Sequence, residues 1–181
     1  IQWLRDGLGI IKSAAEIEEL ALSVPSSDGV VIIPSLAGLG APHWNPGARG
    51  VLWGLTRGTT RAHIARAALE AIALQNVDIL QAMERDLREP LKVLKVDGGA
   101  SANNLLMQMQ ADFLNRPIIR PEMTDTTALG AGLLAGLAVG VFSDLEAIRA
   151  TWREDARFEP TMSVAKRREH LGLWAEGIKR V

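Results

Sequence analysis

Short apolar runs that suit buried strands alternate along this chain with longer segments of helical periodicity. The extended runs cover residues 30–33, 51–55, 91–96 and 117–120. Helical segments fill the intervals, and chains that alternate the two in this way fold into α/β layers. We therefore predict an α/β fold with a largely parallel sheet.

Apolar residues at helical spacing predict the elements between these strands. The predicted helices cover residues 1–12, 13–23, 60–87, 102–114 and 124–141, followed from residue 142 by a helical, charged tail. Ser13 is the expected N-cap of the second helix, and Thr59 or Thr60 that of the third, because a hydroxyl oxygen accepts a hydrogen bond from a free backbone N–H.

A glycine-rich stretch over residues 127–141 is the longest apolar run of the chain. It is shorter than the roughly 20 residues that span a bilayer, so we predict a buried helix. Gly132, Gly136 and Gly140 recur every four residues and place small side chains on one face. We expect that face to pack closely against a sheet.

The charge balance argues against two classes of partner. The chain has 20 Lys and Arg against 21 Asp and Glu, which gives a formal net charge of −1. No basic excess is available for nucleic acid or for an anionic membrane, so neither is expected as a partner.

Cysteine and histidine limit the metal and redox chemistry. Cysteine is absent, which excludes disulfides and thiolate metal sites and is compatible with a reducing cytoplasm, the location we expect. No signal peptide is visible. His43, His63 and His170 have no ligand-like spacing, so we predict no metal-binding residue.

A predicted strand runs into a double-glycine turn at Asp97-Gly98-Gly99 and then into a helix. Glycines let a flat ligand approach the backbone, and a helix N-terminus offers unpaired N–H groups. The phosphate-loop and dinucleotide glycine patterns are both absent. On these residues alone a nucleotide site and a tight turn without ligand stay open, and Asn103 and Asn104 are better explained as helix caps than as ligand contacts.

Three residues are candidates for acid–base chemistry, namely His43, Asp97 and Asp125. No two of them are close in the sequence, and no third group supports a pair. Asp97 ends a predicted strand, where α/β sites gather, and it is equally well explained as a turn-forming residue. No nucleophile elbow is present to indicate a hydrolase.

The segment from Gly38 to Gly50 reads Gly-Leu-Gly-Ala-Pro-His-Trp-Asn-Pro-Gly-Ala-Arg-Gly. It closely resembles a signature segment of the glycerol kinases, which belong to the FGGY carbohydrate kinases within the actin-like ATPase superfamily. The similarity extends through residues 50–55 and 63–70, the second family signature. It also includes Val96-Asp97-Gly98-Gly99-Ala100, which resembles the adenosine motif, and covers residues 1 to about 158.

The resemblance implies an actin-like ATPase (ribonuclease H-like) C-terminal domain of the α/β class. We expect residues 1–181 to form an incomplete nucleotide-binding domain that lacks its opening antiparallel strands, with the N-terminal sugar-binding domain absent. The implied reaction is phosphorylation of glycerol to glycerol 3-phosphate by ATP with Mg²⁺, in which an Asp deprotonates the hydroxyl that attacks the γ-phosphorus. The implied partners are ATP or ADP, glycerol and further copies of the same chain.

The resemblance assigns nucleotide contacts residue by residue. Gln2 matches a contact near the phosphates or ribose, and Gly99 matches a backbone contact beside the nucleoside. Asn103 matches a polar contact on the adenosine side, Ala14 forms part of the adenine wall, and Gly98 shapes the turn.

No residue of this chain matches the family's catalytic Asp, so we expect no catalytic residue here and no kinase activity from the chain alone. Two alternatives remain at this stage. One is another FGGY kinase, acting on xylulose or gluconate. The other is a non-catalytic assembly module that uses the alanine-rich helix over residues 61–87, although that alanine pattern fits core packing somewhat better.

Overall fold

The computed structural model describes all 181 residues. The helices are α1 (Gln2–Asp6), α2 (Glu16–Leu22), α3 (Arg61–Leu87), α4 (Asn104–Leu114), α5 (Thr126–Ala138), α6 (Leu145–Arg149) and α7 (Val164–Ile178). The strands are β1 (Val31–Ile33), β2 (Val51–Trp53), β3 (Leu94–Lys95), β4 (Ile118–Pro121) and β5 (Glu154–Phe158). The expected α/β class is confirmed.

The strands form two small sheets, and the prediction of a largely parallel sheet is wrong. β1 and β2 pair antiparallel, with Ile32 opposite Leu52. In the second sheet β4 lies between β3, to which it is parallel, and β5, to which it is antiparallel. β5 lies in the tail predicted to be helical, and it was missed because Glu-Asp-Ala-Arg-Phe has three charged residues and only Ala156 and Phe158 are apolar and partly buried.

Helix α3 is the centre of the fold and packs against α2, α4, α7 and β1. Thr60 is its N-cap, and the Nδ1 atom of His63 accepts a hydrogen bond from the Thr60 N–H at 3.0 Å. Its alanines are buried within the chain's own core, for example Ala65 and Ala73 at 0% exposure. The alanine pattern therefore reflects core packing, and it does not support the assembly module.

Helix α5 departs most clearly from the sequence-based expectation. It was predicted to be buried, yet none of its residues is buried. A Cβ added at Gly132 or Gly140 would meet nothing within 4 Å, so these glycines do not pack against a sheet here. Only Gly136 is approached closely, by the ring of Phe142. No helix of the structure has both the length and the apolar character that crossing a membrane requires.

The predicted helix over residues 1–12 is shorter than expected. α1 ends at Asp6, and Gly9 has a φ of +62°, which a continuing right-handed helix excludes. The N-cap of α2 is Ala15, with no side-chain cap, so the prediction for Ser13 was wrong. The backbone N–H of Lys12 instead donates to the Glu16 carboxylate at 2.7 Å.

The glycine- and proline-rich segment over residues 35–50 is a loop, and it is attached to two helices. An isolated bridge between Leu39 and Asn45 closes its tip. His43 Nε2 lies 2.8 Å from Asp78 Oδ2 on α3, and Trp174 Nε1 on α7 donates to the same oxygen at 2.7 Å. One carboxylate therefore joins the loop, α3 and α7.

A polar cavity of about 360 Å³ lies between α3, α4 and α7. Glu70 and His170 line it, and Glu70 Oε2 is 3.9 Å from His170 Nδ1. Burial raises the pKa of Glu70 and lowers that of His170, so both groups are pushed toward their neutral forms. Lys166 also lowers the pKa of His170 by charge repulsion.

We expect acid to destabilise this region through His170. Because the folded protein disfavours the imidazolium, the unfolded chain binds the proton more readily, and stability falls as pH drops below about 6.5. In His170→Gln this contribution is removed. Urea unfolding midpoints measured between pH 7.5 and pH 5 should therefore fall more for the original protein than for the variant, and equal slopes would contradict the prediction.

Candidate functional site

The double-glycine turn follows β3 and is fixed on both sides of Gly98. The Gly98 N–H donates to the Thr124 carbonyl at 2.8 Å, and the Gly98 carbonyl accepts from the Ser101 N–H at 3.0 Å and from its hydroxyl at 2.7 Å. Gly98 has φ +80° and ψ 169°, a region open in practice only to glycine. The turn therefore requires glycine at this position.

The outer face of the turn is open. A Cβ added at either Gly98 or Gly99 would meet no atom within 4 Å. At Gly99 the backbone is not in the left-handed region, so neither strain nor crowding within the chain requires a glycine there. The backbone at Gly99 is therefore open on this side, and a flat ligand could lie against it.

The N-terminus of α4 stands directly after the turn, and two of its first N–H groups are already paired with side chains. Asn103 is the N-cap, and its Oδ1 accepts from the Leu106 N–H at 2.7 Å. Glu18 of α2 accepts from the Leu105 N–H at 2.8 Å through its Oε1 atom. The expectation that this helix would offer unpaired N–H groups to a ligand is wrong for these two positions, because Glu18 and Asn103 occupy them.

The capping prediction for Asn103 is confirmed, and it determines which end of the amide is free. The donor on Leu106 is a backbone N–H, so the atom that accepts from it is the amide oxygen. The Asn103 Nδ2 group makes no hydrogen bond within the chain. It is a free polar group beside the open glycine turn, and it can only donate.

Arg120 of β4 supports the turn from behind. Its Nη1 atom donates to the Ser101 carbonyl at 2.8 Å and to Asn104 Oδ1 at 2.9 Å. Its Nε atom donates to Asp155 Oδ2 of β5 at 2.7 Å. The exposed Asn104 side chain is thus held at its amide oxygen, as that of Asn103 is.

The three acid–base candidates do not form a site together. The Asp97 carboxylate accepts a hydrogen bond from the Thr126 hydroxyl, and Asp125 is the N-cap of α5. Asp97 therefore connects the glycine turn to the start of α5, and Asp125 caps that helix. His43 is paired with Asp78 in the loop over residues 35–50. Each candidate has a structural hydrogen-bond partner of its own.

The structure brings some of the predicted nucleotide contacts together and leaves one apart. Gly98, Gly99 and Asn103 are consecutive parts of the turn and the α4 cap. Ala14 is exposed just ahead of α2, the helix that reaches α4 through Glu18. Gln2 is exposed on α1 and makes no hydrogen bond to the turn.

The sequence reasoning missed Glu18 and Arg120. Glu18 is 87 residues from its partner Leu105, and Arg120 is 19 residues from Ser101. No local spacing signals such contacts. A charged residue inside a predicted strand, as Arg120 is, was the one available indication of a buried polar role.

No three His, Cys, Asp or Glu side chains lie close enough together to hold a metal ion.

Comparison with known proteins places the chain in a family. Residues 1–139 match the model of the FGGY family of carbohydrate kinases, C-terminal domain. The glycerol kinase of Aromatoleum aromaticum is 57% identical over 180 residues, and that of Dechloromonas aromatica is 58% identical over the same number. Each alignment covers 99% of this chain and 36% of the relative. The chain thus spans about a third of the length of these curated relatives.

Solved structures agree with the fold. The crystal structure of Plasmodium falciparum glycerol kinase with ADP has a TM-score of 0.89 at 33% identity, over 99% of this chain and 36% of that one. Xylulose kinase from Lactobacillus acidophilus has a TM-score of 0.78 at 24% identity, over 98% of this chain and 36% of its own, a likeness of fold alone. This chain therefore belongs to the FGGY family of carbohydrate kinases, with residues 1–139 corresponding to the family's C-terminal domain.

Proposed function

We propose that this chain supplies the adenosine side of the ATP site of a glycerol kinase, which transfers the γ-phosphoryl group of ATP to glycerol. The observation that carries the proposal is the open Gly98–Gly99 turn at the end of β3 with the free Asn103 amide nitrogen beside it. Support also comes from relatives at 57–58% identity that are glycerol kinases, and from the similar glycerol kinase structure determined with ADP.

The proposed contacts follow from this geometry. The nucleoside lies against the Gly98–Gly99 backbone, with the Asn103 amide nitrogen as a donor beside it. Ala14 forms part of the adenine wall, next to the helix that Glu18 joins to α4. Gln2 contacts the phosphates or ribose, on a nucleotide that extends from the turn toward α1.

The chain's own role in phosphoryl transfer is to bind and orient the nucleotide. Positioning and charge neutralisation supply most of the acceleration in such reactions. His43, Asp97 and Asp125 are each held in structural hydrogen bonds, so none is assigned as the base. We propose that the 181 residues alone do not turn over ATP with glycerol, and turnover in a coupled kinase assay would contradict this.

Gly99→Val tests the nucleotide site. Its Cβ meets no atom of the chain, so the fold should remain intact, whereas the added side chain occupies the space proposed for the nucleoside. We expect calorimetry to show Mg-ADP binding by the original chain and at least a roughly hundredfold weaker affinity for the variant, since a buried clash costs a few kcal/mol.

Gly172→Val is the matched control, because its Cβ also meets nothing within 4 Å and it lies on α7, away from the turn. The control should bind Mg-ADP like the original chain. Equal affinity of the Gly99→Val variant would place the nucleotide elsewhere.

The substrate and the setting belong to the same proposal. We propose glycerol as the phosphoryl acceptor and a homo-oligomeric protein in the cytoplasm. Phosphorylation of glycerol, xylulose and gluconate by the natural protein that contains these residues would compare the acceptors directly. A preference for xylulose or gluconate would overturn the choice of substrate and leave the nucleotide site standing.

A further inference from the structure

We propose that Arg120 is a positioning residue of the adenosine site, which holds the turn from Gly98 to Asn103 in the shape that receives the nucleoside. The inference rests on the proposed function, because the site that Arg120 supports is the one proposed there. Arg120 itself lies behind the turn, on β4, and touches no part of the proposed ligand.

The guanidinium makes three hydrogen bonds to three different partners. It donates to the Ser101 carbonyl at 2.8 Å, to Asn104 Oδ1 at 2.9 Å and to Asp155 Oδ2 at 2.7 Å. The Arg120 side chain is only 14% exposed, against 44% for Asp155. The arginine is therefore largely enclosed, with its outer edge neutralised by a carboxylate and its inner edge directed at the turn.

Ser101 transmits this contact to the glycines. Ser101 is 2% exposed, and both its N–H and its hydroxyl donate to the Gly98 carbonyl. Arg120 fixes the Ser101 peptide, and Ser101 fixes the Gly98 peptide in its unusual conformation. The orientation of the open Gly99 face depends on this chain of contacts.

Both asparagines that follow the turn are held at their amide oxygens. Asn104 Oδ1 accepts from Arg120, and Asn103 Oδ1 accepts from the Leu106 N–H in the α4 cap. Neither amide nitrogen makes a hydrogen bond within the chain, so each is a free donor beside the turn. Arg120 thus helps to orient the groups that the turn presents.

Only arginine suits this position among the cationic residues. Its planar fork reaches three acceptors in fixed directions, whereas lysine presents a single compact ammonium. The guanidinium also lies over the ring of Phe158 at 5.6 Å, which limits its movement. Arg120→Lys keeps the positive charge and removes the planar hydrogen-bonding fork. It therefore tests the positioning role separately from the charge.

Calorimetry with Mg-ADP and with adenosine on the 181-residue chain tests the inference. We expect Arg120→Lys to weaken both ligands about tenfold, the equivalent of one charge-assisted hydrogen bond, because the turn serves the nucleoside. Arg157→Lys is the matched control, since Arg157 lies on neighbouring β5 and pairs only with Glu159 at 2.6 Å. Unchanged affinity of the Arg120→Lys variant would overturn the proposal.

Hydrogen exchange without nucleotide separates this inference from the proposed function. In Arg120→Lys the Ser101 N–H should exchange faster, while amides of α3 keep their protection, a pattern that general destabilisation would not give. If the original chain binds no ADP, the proposed function fails. The exchange result then still decides whether Arg120 holds the turn. Unchanged protection of the Ser101 N–H in Arg120→Lys would overturn the role proposed for Arg120.

Discussion

Gly54→Ala should destabilise the protein by about 3–5 kcal/mol, the sum of backbone strain and a steric clash. Gly54 follows β2 and has a φ of +80°, which side-chain-bearing residues rarely adopt. A Cβ at this position would lie 2.0 Å from the Gly29 carbonyl oxygen, and that atom belongs to the backbone. Neither element can move aside without disturbing the pairing of β1 with β2.

Urea unfolding of Gly54→Ala and Gly58→Ala measures this effect against a control from the same loop. The nearest atom to a Cβ at Gly58 is the Thr56 hydroxyl at 3.6 Å, an ordinary contact, so that variant should unfold near the original midpoint. A Gly54→Ala midpoint equal to that of Gly58→Ala would show that the turn after β2 relaxes freely.

Asp78→Ala should cost about 3 kcal/mol of unfolding free energy, because it leaves a buried donor unpaired. The Asp78 carboxylate accepts from Trp174 Nε1 and pairs with His43 Nε2. Trp174 is 3% exposed, so water cannot replace the lost acceptor. The loop over residues 35–50 also loses its attachment to α3.

Asp86→Ala is the matched control, since Asp86 is exposed on the same helix and makes no hydrogen bond or ion pair. Thermal unfolding should separate the two variants by roughly 6–12 °C for a domain of this size. The indole emission of Trp174 should change only in Asp78→Ala. Equal melting of both variants would mean that the carboxylate contributes no net stability.

The sequence predicted elements with local signals and failed where the deciding contact was distant. Thr60 and Asn103 cap their helices as predicted, because a cap depends on residues three positions away. The prediction that α5 is buried was wrong, because an apolar composition favours burial but does not determine which element the helix packs against. The relative direction of the strands could not be predicted either, because β5 pairs with β4 through residues more than 30 positions apart in the sequence.

Only the local part of the candidate site could be predicted from the sequence. The pattern Asp97-Gly98-Gly99 predicted the glycine turn, but no local pattern predicted the open space beside it. Glu18 and Arg120 reach the turn from other elements, so only the folded chain reveals them.

Pairing of the first turn of α4 by Glu18 and Asn103 has a consequence for how the site responds to ionic strength. With the Leu105 and Leu106 N–H groups engaged, and with an acidic side chain at one of them, this helix end offers little attraction to an anion. A negatively charged ligand therefore gains little from these two N–H groups. We expect the proposed nucleoside contact to depend mainly on shape, so added salt, which screens charges, should leave it largely unaffected.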